Sequence, residues 1–129
     1  MKVELYQNIG KLFYAIAKAD GKLTIEEYRK LNEILNHFWL HINPKSIETT
    51  KHTFNQLHLC DAEPSLCFDN FMSFYKTNFH LFTKELKSLI LKTANGIAYA
   101  FAKINKSELI LLAKLSIEFK KHEVLNHEK

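Results

Sequence analysis

An all-α fold, a single domain of about six helices with two capped αα-hairpins around one core, is what this sequence predicts. Three observations lead there. Among 129 residues only three are Gly and two are Pro, too few for the many turns of an all-β domain. Apolar residues recur at three- and four-residue spacing along most of the chain, the period of a helix that buries one stripe. Apolar types make up 47% of the sequence, with ten Phe, five Tyr and one Trp, so the chain can bury a substantial core.

The first helix is expected from about Val3 to Ala19, with Leu5, Ile9, Leu12, Phe13 and Ile16 on its stripe. Asp20-Gly21 stops it: glycine tolerates the left-handed backbone that ends helices, and aspartate bonds local backbone groups instead. Thr24 reads as the N-cap of a second helix, and Glu27 three residues later completes a capping box. That helix carries Tyr28, Leu31, Ile34, Leu35 and Phe38 and must end before Asn43-Pro44, because proline disfavours helix in the residue before it. Pro44 is placed to open a third helix, with Ile47, Thr50, Phe54 and Leu57 inward, and the stretch Asp61 to Pro64 breaks it. A shorter fourth helix follows through Phe68, Phe71, Met72 and Tyr75, whose density at helical spacing marks packing rather than a cofactor box.

Thr83 opens a fifth helix running to about Ile104, with Leu86, Leu89, Ile90, Ile97 and Phe101 on its stripe and several alanines beside it. Asn105 and Glu108 form a second N-x-x-E cap before the sixth, around Leu109 to Lys121. This last helix is apolar on more than one face, which predicts it to be the most buried element. Residues 120–129 are polar and are expected to fray. A weak internal repeat accompanies the two caps. Setting Thr24 and Glu27 on Asn105 and Glu108 also aligns Ile16 with Ile97, Ala17 with Ala98, Leu31 with Leu112 and Phe38 with Phe119. Asp20 then falls opposite Phe101, so only the first hairpin keeps the acidic turn.

Several function classes are disfavoured. No apolar run approaches the roughly 20 residues of a spanning helix, and the opening MKVELYQNIGK lacks the apolar segment of a signal peptide. Cys60 and Cys67 give neither a disulfide framework nor a CxxC pattern, so a reduced, cytoplasmic protein is expected. The formal charge is +4, but seventeen of the eighteen basic residues are Lys, Arg29 being the exception. Base readout and phosphate clamping favour the guanidinium fork, so nucleic acid is not an expected partner. No nucleophile elbow, phosphate-binding loop or dinucleotide motif is present. The adjacent Glu26 and Glu27 point different ways on a helix, so no acid–base pair is legible and no enzymatic activity is expected.

The chemistry that remains lies in the segment from Ile16 to Leu31. Asp20, Gly21, Leu23 and Glu27 match the second half of a calcium-binding helix–loop–helix, but Ile16 and Lys18 stand where its first oxygen ligands belong. Ala17-Lys18-Ala19-Asp20-Gly21, then an apolar residue, a capping Thr and Glu27 seven positions after Asp20, is a better match to another pattern. It resembles the tellurite-resistance TerB-like family, a domain also found in some DnaJ-like co-chaperones, best over Ile9 to Leu35. The resemblance implies a compact all-α, non-enzymatic module linked to stress responses and to protein assemblies near the membrane. It also implies divalent-cation binding by acidic residues, here Asp20 and Glu27 with Glu26 beside them, oxygen ligands that favour Ca²⁺ or Mg²⁺.

Two alternatives stand beside that metal site. In one, Asp20, Thr24 and Glu27 serve only as a helix stop and cap, and exposed aromatics such as Trp39, Phe79 or Phe82 anchor a partner protein or a homodimer. In the other, which is less expected, the lysine excess attracts the chain peripherally to an anionic membrane or to nucleic acid. His37 and His41 share a helical spacing but lack a third ligand, and His58, Cys60 and Cys67 are irregularly spaced for zinc.

Overall fold

The computed structural model describes the backbone of residues 3–19, 23–100 and 106–127, with side chains in those spans except at residues 100 and 122–127. Among the described residues every regular element is helical: α1 (Val3–Ala17), α2 (Ile25–Phe38), α3 (Pro44–Leu59), α4 (Pro64–Thr77), α5 (Lys84–Ala100) and α6 (Lys106–His127), with a single 3-10 turn at Phe79–Leu81. The all-α expectation of about six helices holds. The capping chemistry that falls on described residues is also in place, while Phe101, Ile104 and Asn105 lie outside those residues. Thr24 and Glu27 make a reciprocal capping box, Asn43 accepts a bond from the Lys45 amide ahead of Pro44, and Thr83 Oγ1 accepts from the Leu86 amide at 3.1 Å.

The centre of the molecule is α1, which packs against α3, α4, α5 and α6. Its stripe of Leu5, Ile9, Leu12, Phe13 and Ile16 is buried, but so are Asn8, Gly10, Tyr14, Ala15 and Ala17 on the remaining faces. The expectation that the sixth helix is the most buried element is therefore corrected. Among its described side chains only Glu108, Leu115 and Phe119 are buried, while Leu109, Ile110 and Ile117 are largely exposed. An apolar face in the sequence of α6 is not a buried one, because only one side of that helix meets the body.

Small side chains let α1 be surrounded. A Cβ built on Gly10 would lie 2.8 Å from the Thr50 carbonyl oxygen and 3.0 Å from Thr53 Cβ, so α1 and α3 cross at backbone distance there. Ser46, Thr50 and Thr53 supply the narrow ridge on α3. The Thr50 hydroxyl lies 3.0 Å from the Ser46 carbonyl and 3.4 Å from that of Tyr6, so the polar group at the crossing has acceptors within reach. Farther along, the Tyr14 hydroxyl donates to the Ala62 carbonyl at 2.7 Å and fixes the α3–α4 turn to α1. That turn is a complete Schellman closure: the Ala62 amide bonds Leu57 O and the Asp61 amide bonds His58 O. Asp61 takes the left-handed position, with φ of 51°.

Two aromatic clusters lock the other helices on. Trp39, fully buried, donates from Nε1 to Thr93 Oγ1 at 2.7 Å and packs edge-on to Phe13 and Tyr6, joining the end of α2 to α1 and α5. Phe82 inserts among Phe71, Phe74, Tyr75 and Phe119, joining α4 to α6. The expectation that Trp39 and Phe82 are exposed anchors is thus wrong. Trp39 continues the buried stripe of Leu31 and Leu35 one turn further, whereas Phe82 follows the 3-10 turn, where periodicity says nothing about direction; both turn inward. Phe79 alone of the three is exposed. The first helix stops at Ala17, two residues short of the expected Ala19. The second stops at Phe38, ahead of Asn43-Pro44 as expected, and the Trp39 amide still bonds Leu35 O. The last helix runs through His127, and no Gly or Pro interrupts it.

Two predictions come from this packing. Gly10→Ala should gain helix propensity yet lower stability by about 1–3 kcal/mol, because the added methyl meets backbone and α3 must move. Chemical denaturation would check it, and an unchanged or raised midpoint would contradict the close crossing. The second concerns alkali. Burial, with Asp61 adding to it, pushes the Tyr14 hydroxyl up to about 12, and burial with Glu118 does the same for Tyr75. Unfolded tyrosines lose protons near pH 10, so this stabilisation is whole below pH 10 and is lost as pH rises to 12, roughly 2–3 kcal/mol for each tyrosine. Urea midpoints at pH 9, 10, 11 and 12 should fall across that window, and less steeply in Tyr14→Phe.

Candidate functional site

The acidic turn is built from the ends of two helices. At the close of α1 the Lys18 amide bonds Tyr14 O and the Ala19 amide bonds Ile16 O. Asp20, with Gly21 and Lys22, lies outside the described residues. On the far side Thr24 is extended, with φ of −85° and ψ of 164°, and begins α2. The Glu27 amide donates to Thr24 Oγ1 at 3.1 Å, and the Thr24 amide donates to Glu27 Oε1 at 2.8 Å. One carboxylate oxygen of Glu27 is thereby committed to the cap. Glu26 points into solvent on the same helical turn. Both carboxylates sit at the positive end of the α2 dipole, which favours them without any ligand.

Neighbouring groups complete this end of the bundle. Lys18 Nζ reaches Asp61 Oδ1 at 3.0 Å, a pair whose carboxylate is open to water and therefore weak. Tyr28 stacks on the His58 ring, 6.1 Å between centroids and 25° between planes, and its hydroxyl donates to Asn55 Oδ1. His58 Nδ1 is buried and has no hydrogen-bond partner among the described residues. Cys60 is exposed and its thiol lies 3.5 Å from Leu57 O, whereas Cys67 is buried and its thiol is pushed up by that burial. Among the described residues no three His, Cys, Asp or Glu side chains gather where they could hold a metal ion.

His37 and His41 do not share a helical face. His37 lies in the last turn of α2, and His41 lies beyond Trp39 in the following turn. His41 instead belongs to a feature that no motif announced. A groove of about 760 Å³ opens between the start of α1, the end of α2 with its turn, and the segment from Leu81 to Lys92. Its components come from three stretches far apart in sequence, so nothing in local spacing points to it.

Thr24→Ala should cost about 1 kcal/mol by removing the cap, with Glu27→Gln milder because the amide oxygen can still accept. Thermal unfolding of the two variants checks this, and a neutral Thr24→Ala would contradict the capping geometry.

Set against known proteins, the chain matches no family model, no curated protein and no solved structure, so the TerB-like resemblance rests on the motif around Asp20.

Proposed function

We propose that this chain is a non-enzymatic helical binding module, of the TerB-like kind that its first loop resembles, and that it docks an acidic amphipathic helix of a partner protein along α6. The observation behind this reading is the outer face of that helix. Leu109, Ile110 and Ile117 are 51%, 46% and 56% exposed on the side away from buried Leu115 and Phe119. Ile110, Ala113 and Ile117 follow one another at the three- and four-residue steps of a coiled-coil seam. Lys114 and Lys121 flank that seam, and Lys106 and Lys120 extend it at either end.

Charge selects among occupants. A second copy laid on the same face would bring lysines against lysines. A bilayer is favoured by aromatic residues at the apolar edge, and Phe119, the aromatic ring of α6, is buried in the core. A helix with apolar seam residues and flanking glutamates meets both demands. Helix docking of this kind suits a scaffolding role in stress-associated assemblies.

The test uses a synthetic helix with Leu and Ile in the seam and Glu on both flanks, titrated into isotopically labelled protein. Saturable shifts confined to residues 106–121 are expected, weakened about tenfold or more by Ile117→Asp and by added salt. Ile117 is exposed, so that variant should keep its fold. No shifts, or shifts indifferent to Ile117→Asp, would sink the reading. A concentration-dependent dimer, or sedimentation with phosphatidylglycerol vesicles that Ile117→Asp abolishes, would give the face to another occupant.

A second reading keeps the divalent cation. Glu26 is free to turn towards the loop, and Glu27 has one oxygen outside the bond to Thr24. On this reading Ca²⁺ or Mg²⁺ binds one-to-one to chelator-stripped protein, and Asp20→Asn removes the calorimetric signal without loss of helical content. Absence of heat with Ca²⁺, Mg²⁺, Mn²⁺ and Zn²⁺ would discard the metal and leave the α6 reading standing.

A further inference from the structure

The groove at the opposite end of α1 from the acidic turn has a chemistry of its own. Five apolar side chains, Tyr6, Phe38, Ile42, Leu81 and Leu89, are each partly buried and partly open, and all of them line it. Buried Leu5 and Leu86 lie beneath them. Apolar surface left in water in this way is stabilised by whatever apolar group covers it. The volume, about 760 Å³, falls within the range of small-molecule sites.

The polar groups are fewer and mostly of one sign. Glu85, Ser88, Leu89 and Lys92 recur at three- and four-residue spacing, so one face of α5 forms a wall. Lys92 Nζ lies 4.5 Å from the centroid of the Phe38 ring, which holds the cation against an aromatic wall. Lys84 lies at the first turn of α5, whose amide end carries partial positive charge. Against these two lysines stands one carboxylate, Glu85, and His41 adds a third basic group on the rim.

We propose that this groove binds a single-chain anionic amphiphile, a medium- or long-chain carboxylate, with its chain on the Tyr6–Phe38–Ile42–Leu89 surface and its headgroup drawn to the positive rim to which Lys84 and Lys92 contribute. Each feature excludes a competitor. A short carboxylate would leave the apolar walls uncovered. A neutral chain would make no use of the charge of the two lysines, and a cation would meet the wrong sign. This site is separate from the α6 face and does not depend on the partner assigned to that face.

Decanoate below its micelle concentration is the probe, titrated by calorimetry and by the fluorescence of Trp39. This is the only Trp of the chain, and its ring lies 6.3 Å from that of Tyr6 on the groove wall. One saturable site is expected. Decanol and acetate should each bind at least about tenfold more weakly, and Lys84→Glu with Lys92→Glu should weaken decanoate to the same extent. Both lysines are exposed, so the double variant should retain its circular dichroism, and Ile117→Asp on α6 should bind decanoate normally. Failure of decanoate to saturate, equal binding of decanol, or indifference to the double lysine variant would each overturn the assignment. A protein that sediments with phosphatidylglycerol vesicles but ignores monomeric decanoate would overturn it too, pointing to a lipid surface rather than a single chain.

Discussion

The crossing of α1 and α3 at Gly10 is the constraint on which the rest of the structure depends. With no side chain at that point, the α1 backbone approaches the Thr50 carbonyl closely enough that a methyl group would collide. The approach lets α3 cover a face of α1 that a larger residue would hold open, and α4, α5 and α6 then cover the others. A helix buried on most of its faces must pair every polar group that it carries inward. Here Asn8 bonds the Glu4 carbonyl and the Tyr14 hydroxyl bonds Ala62 O, so the polar groups of α1 work as ties rather than as penalties.

Once α1 is the axis, the proposed sites fall at its two ends and on one side of the bundle. Around the end of α1 lie the cap of α2 and the left-handed turn at Asp61, joined by the Tyr14 bond and the Lys18–Asp61 pair. Around its beginning lie the end of α2 and the start of α5, held by Trp39 and its bond to Thr93, and the groove opens there. The side is α6, attached through Leu115, Phe119 and the aromatic cluster about Phe82, with its other face apolar and unclaimed among the described residues. A hydrogen bond from Lys87 Nζ to Phe119 O and the same cation near the Phe119 ring add to that attachment.

How much of this was legible follows from what kind of signal each feature leaves. Caps and stops are local chemistry. Thr24 with Glu27, Asn43 before Pro44, and Thr83 were each readable from a few residues, and each behaves as read. The aligned repeat positions agree only in part: Ile16 and Ile97 are buried, as are Ala17 and Ala98, but Leu31 is buried where Leu112 is half-buried, and Phe119 is buried where Phe38 is half-buried. Which helix lies at the centre was not readable, because amphipathicity reports apolar residues and not what covers them. α1 looked one-sided since Gly10, Tyr14 and Ala15 do not register as apolar stripe, and α6 looked enclosed since Leu109, Ile110 and Ile117 do. Phe82 was misplaced for a different reason, lying between helices where direction is set by backbone angles rather than by a period, while Trp39 was legible as the next buried position of the Leu31–Leu35 stripe. The groove was invisible because its walls meet only in three dimensions. The acidic turn is the reverse case, with a clear motif whose Asp20 lies outside the described residues.

Native-state hydrogen exchange tests the central claim that α1 is the enclosed axis and α6 a peripheral helix with a free face. Amides of Ile9 to Ile16 should exchange only through global unfolding, whereas those of Leu109 to Ile117 should open at a distinctly lower free energy. Protection along α6 equal to that of α1, or slow exchange confined to α6, would contradict the account and restore the last helix to the centre of the fold.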